Sequence, residues 1–253
     1  MCGRYALLSD LDLLVELFRL ASIPDLTARY NIAPTQHAPV IRATSTSAST
    51  SGGRGERHMD LLHWGLIPFW AKAPDMGGRM INARAETAAE KPAYRAAFRQ
   101  RRCLVPADAF YEWQKQEGSE SKQPYCIRMK DESPFVFAGL WERWRPKHGS
   151  DDAHAVESFT ILTTTPNALL KKVHDRMPVI LRPEDYDHWL DPDLQDPEHI
   201  QKLLRPFPAE YMQAYPITRH VNNPGNDDPT CLAPAPGTDP APGNDSGADL
   251  FPT

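Results

Sequence analysis

The chain has 253 residues, enough to bury a sizeable core in one domain, and 28 basic against 33 acidic side chains give a formal net charge of -5. That balance weighs against a chain coated with basic charge, but five Asp and no Lys or Arg fall from Asn222 onward, so Met1–Val221 is formally neutral and open to a local positive surface. Cys2, Cys103, Cys126 and Cys231 form no CxxC pair, and no stretch is apolar enough for a signal peptide or a membrane span, which points to a soluble, reduced, intracellular protein with neither metal nor cofactor.

In chain order, Cys2–Leu8 reads as a strand. Removal of Met1 would leave Cys2 with an amine and a thiol on adjacent carbons, a 1,2-aminothiol able to condense with an aldehyde into a five-membered ring. Its amine and thiol have reference pKa values of about 7.7–8.0 and about 8.5, so modest perturbation makes both nucleophilic near neutrality. The plainer reading is an ordinary cysteine after an initiator Met. Leu11, Leu14, Val15 and Phe18 follow helical spacing, predicting a helix over Asp10–Leu20 with Ser9 as N-cap. A short strand follows at Val40–Arg42. The polar, glycine-rich segment Thr44–Gly55 predicts a disordered insertion between two strands.

Leu61–Trp70 returns to apolar and aromatic residues, and Ala88–Arg102 predicts a helix entered through Pro92. Leu104–Phe110, Tyr125–Met129, Phe135–Leu140 and Ser158–Thr164 supply β-like runs separated by charged or proline-containing turns. Asn167–Val173, Pro183–Leu190 and Pro197–Leu204 read as short peripheral helices. Strands dominate without βα alternation, so the expected class is α+β, a single domain with a largely antiparallel, barrel-like core over residues 2–221. The Pro-, Gly- and Asp-rich end from Asn222 to Thr253 reads as a disordered tail whose removal leaves the chemistry intact.

Several polar groups could serve a reactive terminus, and each has a structural reading beside the functional one. Asn82 and Arg84 share a face of an extended segment, where the carboxamide could orient an amine while the guanidinium contacts phosphate. Glu112 lies in Phe110-Tyr111-Glu112-Trp113, where desolvation would favour its protonated form and suit it to acid–base work. His174, after a short helix, is placed for proton exchange, or fixes a turn with Asp175 and Arg176. Trp64, Pro68 and Trp70 suggest an apolar wall that could stack on unpaired bases, or core packing. Arg4, Arg84 and Arg219 are phosphate-contact candidates, with Lys171 or Lys172 contributing. The run Lys91, Arg95, Arg99, Arg101 and Arg102 reads first as a solvated helix face.

Taken together, Met1-Cys2-Gly3-Arg4-Tyr5-Ala6, Asn31-Ile32-Ala33-Pro34, Trp64-Gly65-Leu66-Ile67-Pro68, Asn82-Ala83-Arg84-Ala85-Glu86-Thr87, Phe110-Tyr111-Glu112-Trp113 and His174-Asp175-Arg176-Met177-Pro178 closely resemble the SOS response-associated peptidase (SRAP) family of abasic-site processing proteins. The resemblance covers about Cys2–Val221 apart from the insertion. It implies capture of an abasic site in single-stranded DNA as a thiazolidine on mature Cys2, with lyase and self-processing activities as companions. In that scheme Cys2 is the nucleophile, Asn82 positions the amine, and Glu112 and His174 move protons. Arg84 and Arg4 contact the backbone, and Trp64, Pro68 and Trp70 face DNA. A noncovalent single-strand binder and a cysteine peptidase pairing Cys2 with His174 are the alternatives. Gln201–Pro208 loosely resembles a sliding-clamp-binding peptide, the basis for replication-associated partners, although its place inside the family-like region favours packing. The compartment expected is nuclear in a eukaryote, and cytoplasmic or nucleoid-associated in a bacterium.

Overall fold

A computed structural model describes residues 2–44, 55–118, 120–146 and 155–238. Fourteen strands run in chain order as β1 (Tyr5–Leu7), β2 (Leu20–Ser22), β3 (Arg29–Ile32), β4 (His37–Ala43), β5 (Arg57–Trp64), β6 (Asn82–Arg84), β7 (Arg102–Ala107), β8 (Ala109–Lys115), β9 (Lys122–Met129), β10 (Phe135–Trp144), β11 (Val156–Thr164), β12 (Met177–Pro178), β13 (Ile180–Leu181) and β14 (Met212–Pro216). Five short helices lie between them: α1 (Leu11–Phe18), α2 (Ala85–Ala88), α3 (Arg95–Gln100), α4 (Tyr186–Leu190) and α5 (Pro197–Leu203).

The expected α+β class holds. Antiparallel pairing links β11, β10, β7, β4 and β5 in turn, and β5 then pairs with β11 in parallel through Ser158↔His63 and Phe159↔Trp64. That contact closes the sheet on itself and removes its open edges. A second sheet, in the order β14-β9-β8-β1-β3, places the N-terminal strand between two partners through Tyr5↔Ile32 and Tyr5↔Phe110. Between the sheets Phe110, Phe135 and Phe137 meet edge-on with ring centroids 5.3–6.3 Å apart, the offset geometry that aromatic quadrupoles prefer. Gly65 sits at φ +132°, where an added Cβ would lie 2.5 Å from the carbonyl oxygen of Gly77, so two backbones touch at a point no side chain can enter.

Several boundaries differ from the sequence reading. The cap of α1 is Asp10, whose carboxylate accepts from the Leu13 N–H, while the Ser9 hydroxyl is turned to Asp108. The expected helix over Ala88–Arg102 is two short helices, α2 and α3, with Pro92 in the turn between them and Arg102 already in β7. The run Leu104–Phe110 is likewise two strands, broken at Asp108, whose carboxylate accepts from the Leu8 and Ser9 N–H groups. All but the two end residues of the expected insertion, and residues 239–253, lie outside the described residues.

The tail does not begin at Asn222. Asp227 accepts from the backbone N–H groups of Tyr30 and Asn31 at 2.5 and 2.9 Å and pairs with Arg29. Asn31 is fully buried and directs its amide nitrogen at the carbonyls of Val221, Asn223 and Asn226, within 3.2 Å of each. Further on Cys231 is buried, and Pro234 bridges to Ile217. Residues 222–238 therefore clasp the outer edge of the second sheet. The composition suggested disorder because the segment offers no apolar period; its backbone is satisfied by Asn31 and Arg4 side chains, by its own turns and by a short bridge to residues 216–218 rather than by a regular strand.

Ligand-type atoms of His220, Asp228 and Cys231 lie within 4.8 Å of one another in this clasp. Asn226 Nδ2, fixed on the His220 carbonyl at 2.8 Å, also faces His220 Nδ1 at 3.2 Å. The ring proton is thereby left on Nε2, donating to Asp228 Oδ2 at 2.8 Å, a tautomer that ties the clasp instead of offering that nitrogen to an ion. Ending the chain at residue 238 should leave its melting temperature unchanged. Ending it at Val221 removes Asp227 from Arg29 and two of the three carbonyls from the buried Asn31 amide and should cost about 1–3 kcal/mol, or roughly 2–10 °C; equal melting of the two truncations would refute the clasp.

Candidate active site

Four of the residues singled out from sequence come together at the start of the chain. Cys2 is fully buried, its thiol directed at the Arg4 carbonyl at 3.7 Å. β1 holds this end in place, because Arg4 O accepts from the Tyr111 N–H at 3.0 Å and Tyr5 pairs with Phe110 of β8. Asn82, at the head of β6, donates Nδ2 to the Cys2 carbonyl at 2.7 Å. Its Oδ1 is buried with no hydrogen-bond partner among the described residues.

Glu112 lies on β8 and is 2% exposed. Burial raises its pKa, with nearby His174 pulling the other way. Burial also pushes the Cys2 thiol well above its ordinary value, and the negative charge of Glu112 adds to that rise. Sulfur, carboxyl and imidazole thus share one electrostatic environment. β8 is also tied to the turn that carries the histidine, since Gln114 Nε2 donates to the Lys172 carbonyl at 2.6 Å and the His174 N–H donates to Leu170 O at 2.8 Å.

His174 Nδ1 faces two groups with opposite demands. The Arg176 N–H donates to it at 3.0 Å, which suits a neutral ring, while the Asp175 carboxylate at 2.8 Å suits a protonated one.

The expected DNA-facing set divides. Trp64 is fully buried, stacked on Phe159 at 6.2 Å with its indole N–H donated to the Ile81 carbonyl, so no base can reach its face. Pro68 is buried as well. Trp70 is 41% exposed, and beside it stands Phe69 at 56%, which sequence reading passed over although it lies in the same aromatic run. Arg4 is committed internally, to Asn31 Oδ1 and the carbonyls of Val221 and Asn222, and is not a free phosphate contact. Arg84, Lys171, Lys172 and Arg219 are exposed, the last donating to Ser121.

The basic run breaks up in the same way. Lys91, Arg95 and Arg99 are exposed, but Arg101 pairs with Glu142 at 2.8 Å and Arg102 is buried among backbone carbonyls, including those of Phe98 and Trp189. In Gln201–Pro208 the apolar anchors Leu204 and Phe207 are buried, which removes the footing for a sliding-clamp peptide. Among the described residues no helix is long and apolar enough to cross a membrane.

The family model for the SOS response associated peptidase (SRAP) matches residues 1–224. The abasic site processing protein YoqW of Bacillus subtilis (strain 168) is 41% identical over 235 residues, spanning 92% of this chain and 99% of that protein. The abasic site processing protein HMCES of Xenopus tropicalis is 32% identical over 226 residues, spanning 81% of this chain and 65% of that protein. Among solved structures, a protein from Bacteroides thetaiotaomicron superposes with a TM-score of 0.78 at 30% identity, covering 92% of this chain and 100% of the other.

Proposed function

We propose, from the premise that this chain belongs to the SOS response associated peptidase family, that it captures abasic sites in single-stranded DNA as a covalent adduct on mature Cys2. The observation that carries this reading is the gathering of Asn82, Glu112 and His174 around the one residue that can become an aminothiol.

Met1 leaves first. The Asn82 carboxamide, which already holds the Cys2 carbonyl, positions the freed Cys2 amine. An abasic sugar opens to its aldehyde, the amine adds and expels water as an imine, and the thiol adds across the C=N bond to close a thiazolidine. Glu112, whose burial raises its proton affinity, assists ring opening as an acid and takes a proton back from the amine as a base. His174 carries protons between sugar and solvent. β-Elimination of the 3′ phosphate competes from the imine, so strand cleavage is the side reaction that ring closure suppresses. Removal of Met1 by the chain itself would draw on the same carboxyl and imidazole.

Mass spectrometry of the product between the mature chain and an abasic strand tests the reading. The expected mass is protein plus strand less one water, with fragmentation placing the link on both N and Sγ of Cys2. Equal retention of intact and abasic strands with no covalent product would instead indicate a noncovalent binder, and an acyl thioester on Cys2 after a separate incubation with a peptide substrate would indicate a peptidase.

Trp70 and Phe69 supply the stacking surface for unpaired bases in this scheme. Trp70→Ala should weaken binding of an intact single strand by about 1–3 kcal/mol while leaving thermal stability unchanged, because the ring is already partly in water. Undiminished binding in a fluorescence titration would remove Trp70 from the interface.

A further inference from the structure

Two strands that carry the site are too short to position themselves. β6, bearing Asn82 and Arg84, is three residues long, and β12, which follows His174, is two. They flank the same end of β11 on opposite sides, with Thr163 paired to Arg84 on one side and to Pro178 on the other.

Arg176 spans that end. Its NH1 and NH2 donate to Oε1 and Oε2 of Glu86 at 2.7 and 2.9 Å, and NH2 also donates to the Thr163 carbonyl at 2.5 Å on the way across. The Arg176 backbone N–H is the group that meets His174 Nδ1. Glu86 sits in the first turn of α2, directly after β6. One residue therefore touches the histidine through its backbone N–H and the β6–α2 junction through its guanidinium.

The geometry points to Arg176 and Glu86 as a positioning clamp that fixes the separation of His174 from Asn82 and Arg84 across β11; as a contribution to catalysis this rests on the function proposed above. Stability does not account for the pair. Glu86 is 44% exposed against 14% for Arg176, and with its carboxylate half solvated the pair contributes modestly to folding while immobilising two long side chains. What the bidentate fork supplies is orientation, which a lysine at position 176 could not reproduce. Holding the Glu86 carboxyl below the usual carboxylate range, Arg176 keeps its partner charged.

The test uses the full mature chain and the variants Glu86→Ala, Arg176→Lys and their combination. Adduct formation is timed at saturating abasic strand, and affinity is measured on a strand carrying an unreactive abasic analogue without an aldehyde. Each single variant should slow the bound-state rate by about tenfold to a hundredfold. Affinity should change by less than about twofold, and the double variant should be no slower than the slower single one, since all three remove the same link.

An unchanged rate overturns the clamp. So does tighter binding by Glu86→Ala, which would mean that the carboxylate screens Arg176 from phosphate. Amide NMR without DNA gives an independent arm: Glu86→Ala should shift the His174 and Asp175 signals across β11, and silence there overturns the clamp even if the wild-type chain forms no adduct at all.

Discussion

Cys2→Ala, assayed with Met1 removed, should reduce the acid-stable abasic-strand product to the background of strand alone. The amine survives in this variant, so the imine still forms and can be trapped by borohydride, but there is no sulfur to close the ring. Cleavage by β-elimination should consequently rise as the stable adduct disappears. Retaining Met1 on an otherwise wild-type chain should abolish both products, because the only amine at Cys2 is then an amide. Three chains thus separate the nitrogen from the sulfur. A normal yield of acid-stable product from Cys2→Ala would remove the thiol from the mechanism, whereas loss of the trapped imine as well would indicate that Cys2 is needed mainly to hold the strand. Stability should move little, since the buried thiol is a small side chain with one weak hydrogen bond.

Glu112→Gln should slow adduct formation by about 100- to 10,000-fold, the range for loss of a positioned general acid. The same change should stabilise the fold at neutral pH by about 1 kcal/mol, raising the melting temperature by roughly 2–4 °C for a chain of this size. The sign follows from the direction of the shift. Burial raises the folded-state pKa of Glu112 above its unfolded value of about 4.3. Below that value both states hold the proton and ionisation costs nothing. As pH rises through the interval the unfolded chain gives up its proton first, so the wild type loses stability until the folded pKa is passed, and a glutamine does not. The gap between variant and wild type should open with rising pH above about 4.3 and then level off. A variant that is slow and also less stable at pH 7 would show that the carboxylate holds the fold together and is not kept buried for chemistry.

Much of the candidate site was legible because the proposed chemistry needs particular side chains in particular company. Cys2 behind Met1, Glu112 between aromatic neighbours and His174 after a short turn each carried a local reason, and all three share one environment. The aromatic wall was legible only in part. Alternation along Leu61–Trp70 cannot say which tryptophan faces inward, and that is decided by the β5–β11 pairing that seats Trp64 on Phe159. Arginines misled for a related reason. Charge alone suggests a solvent-facing phosphate contact, yet Arg4 and Arg102 are used as multi-armed donors to backbone carbonyls. The clasp was invisible because its partners are about 200 residues away, Asp227 meeting Tyr30 and Asn31 at separations of 197 and 196. No local pattern reports a contact of that span.

One of those long-range contacts also orders the protein in time. Arg4, two residues from the reactive position, donates to the carbonyls of Val221 and Asn222, 217 and 218 positions along the chain. A ribosome adding about 5–20 residues per second makes the two ends at least ten or so seconds apart. Glu112 and His174 are made partway through that interval, whereas the last anchors of Arg4 arrive only when translation has passed Asn222. On the function proposed above, a chain that stops short of Val221 therefore carries Cys2 next to a strand whose Arg4 still lacks its two backbone anchors.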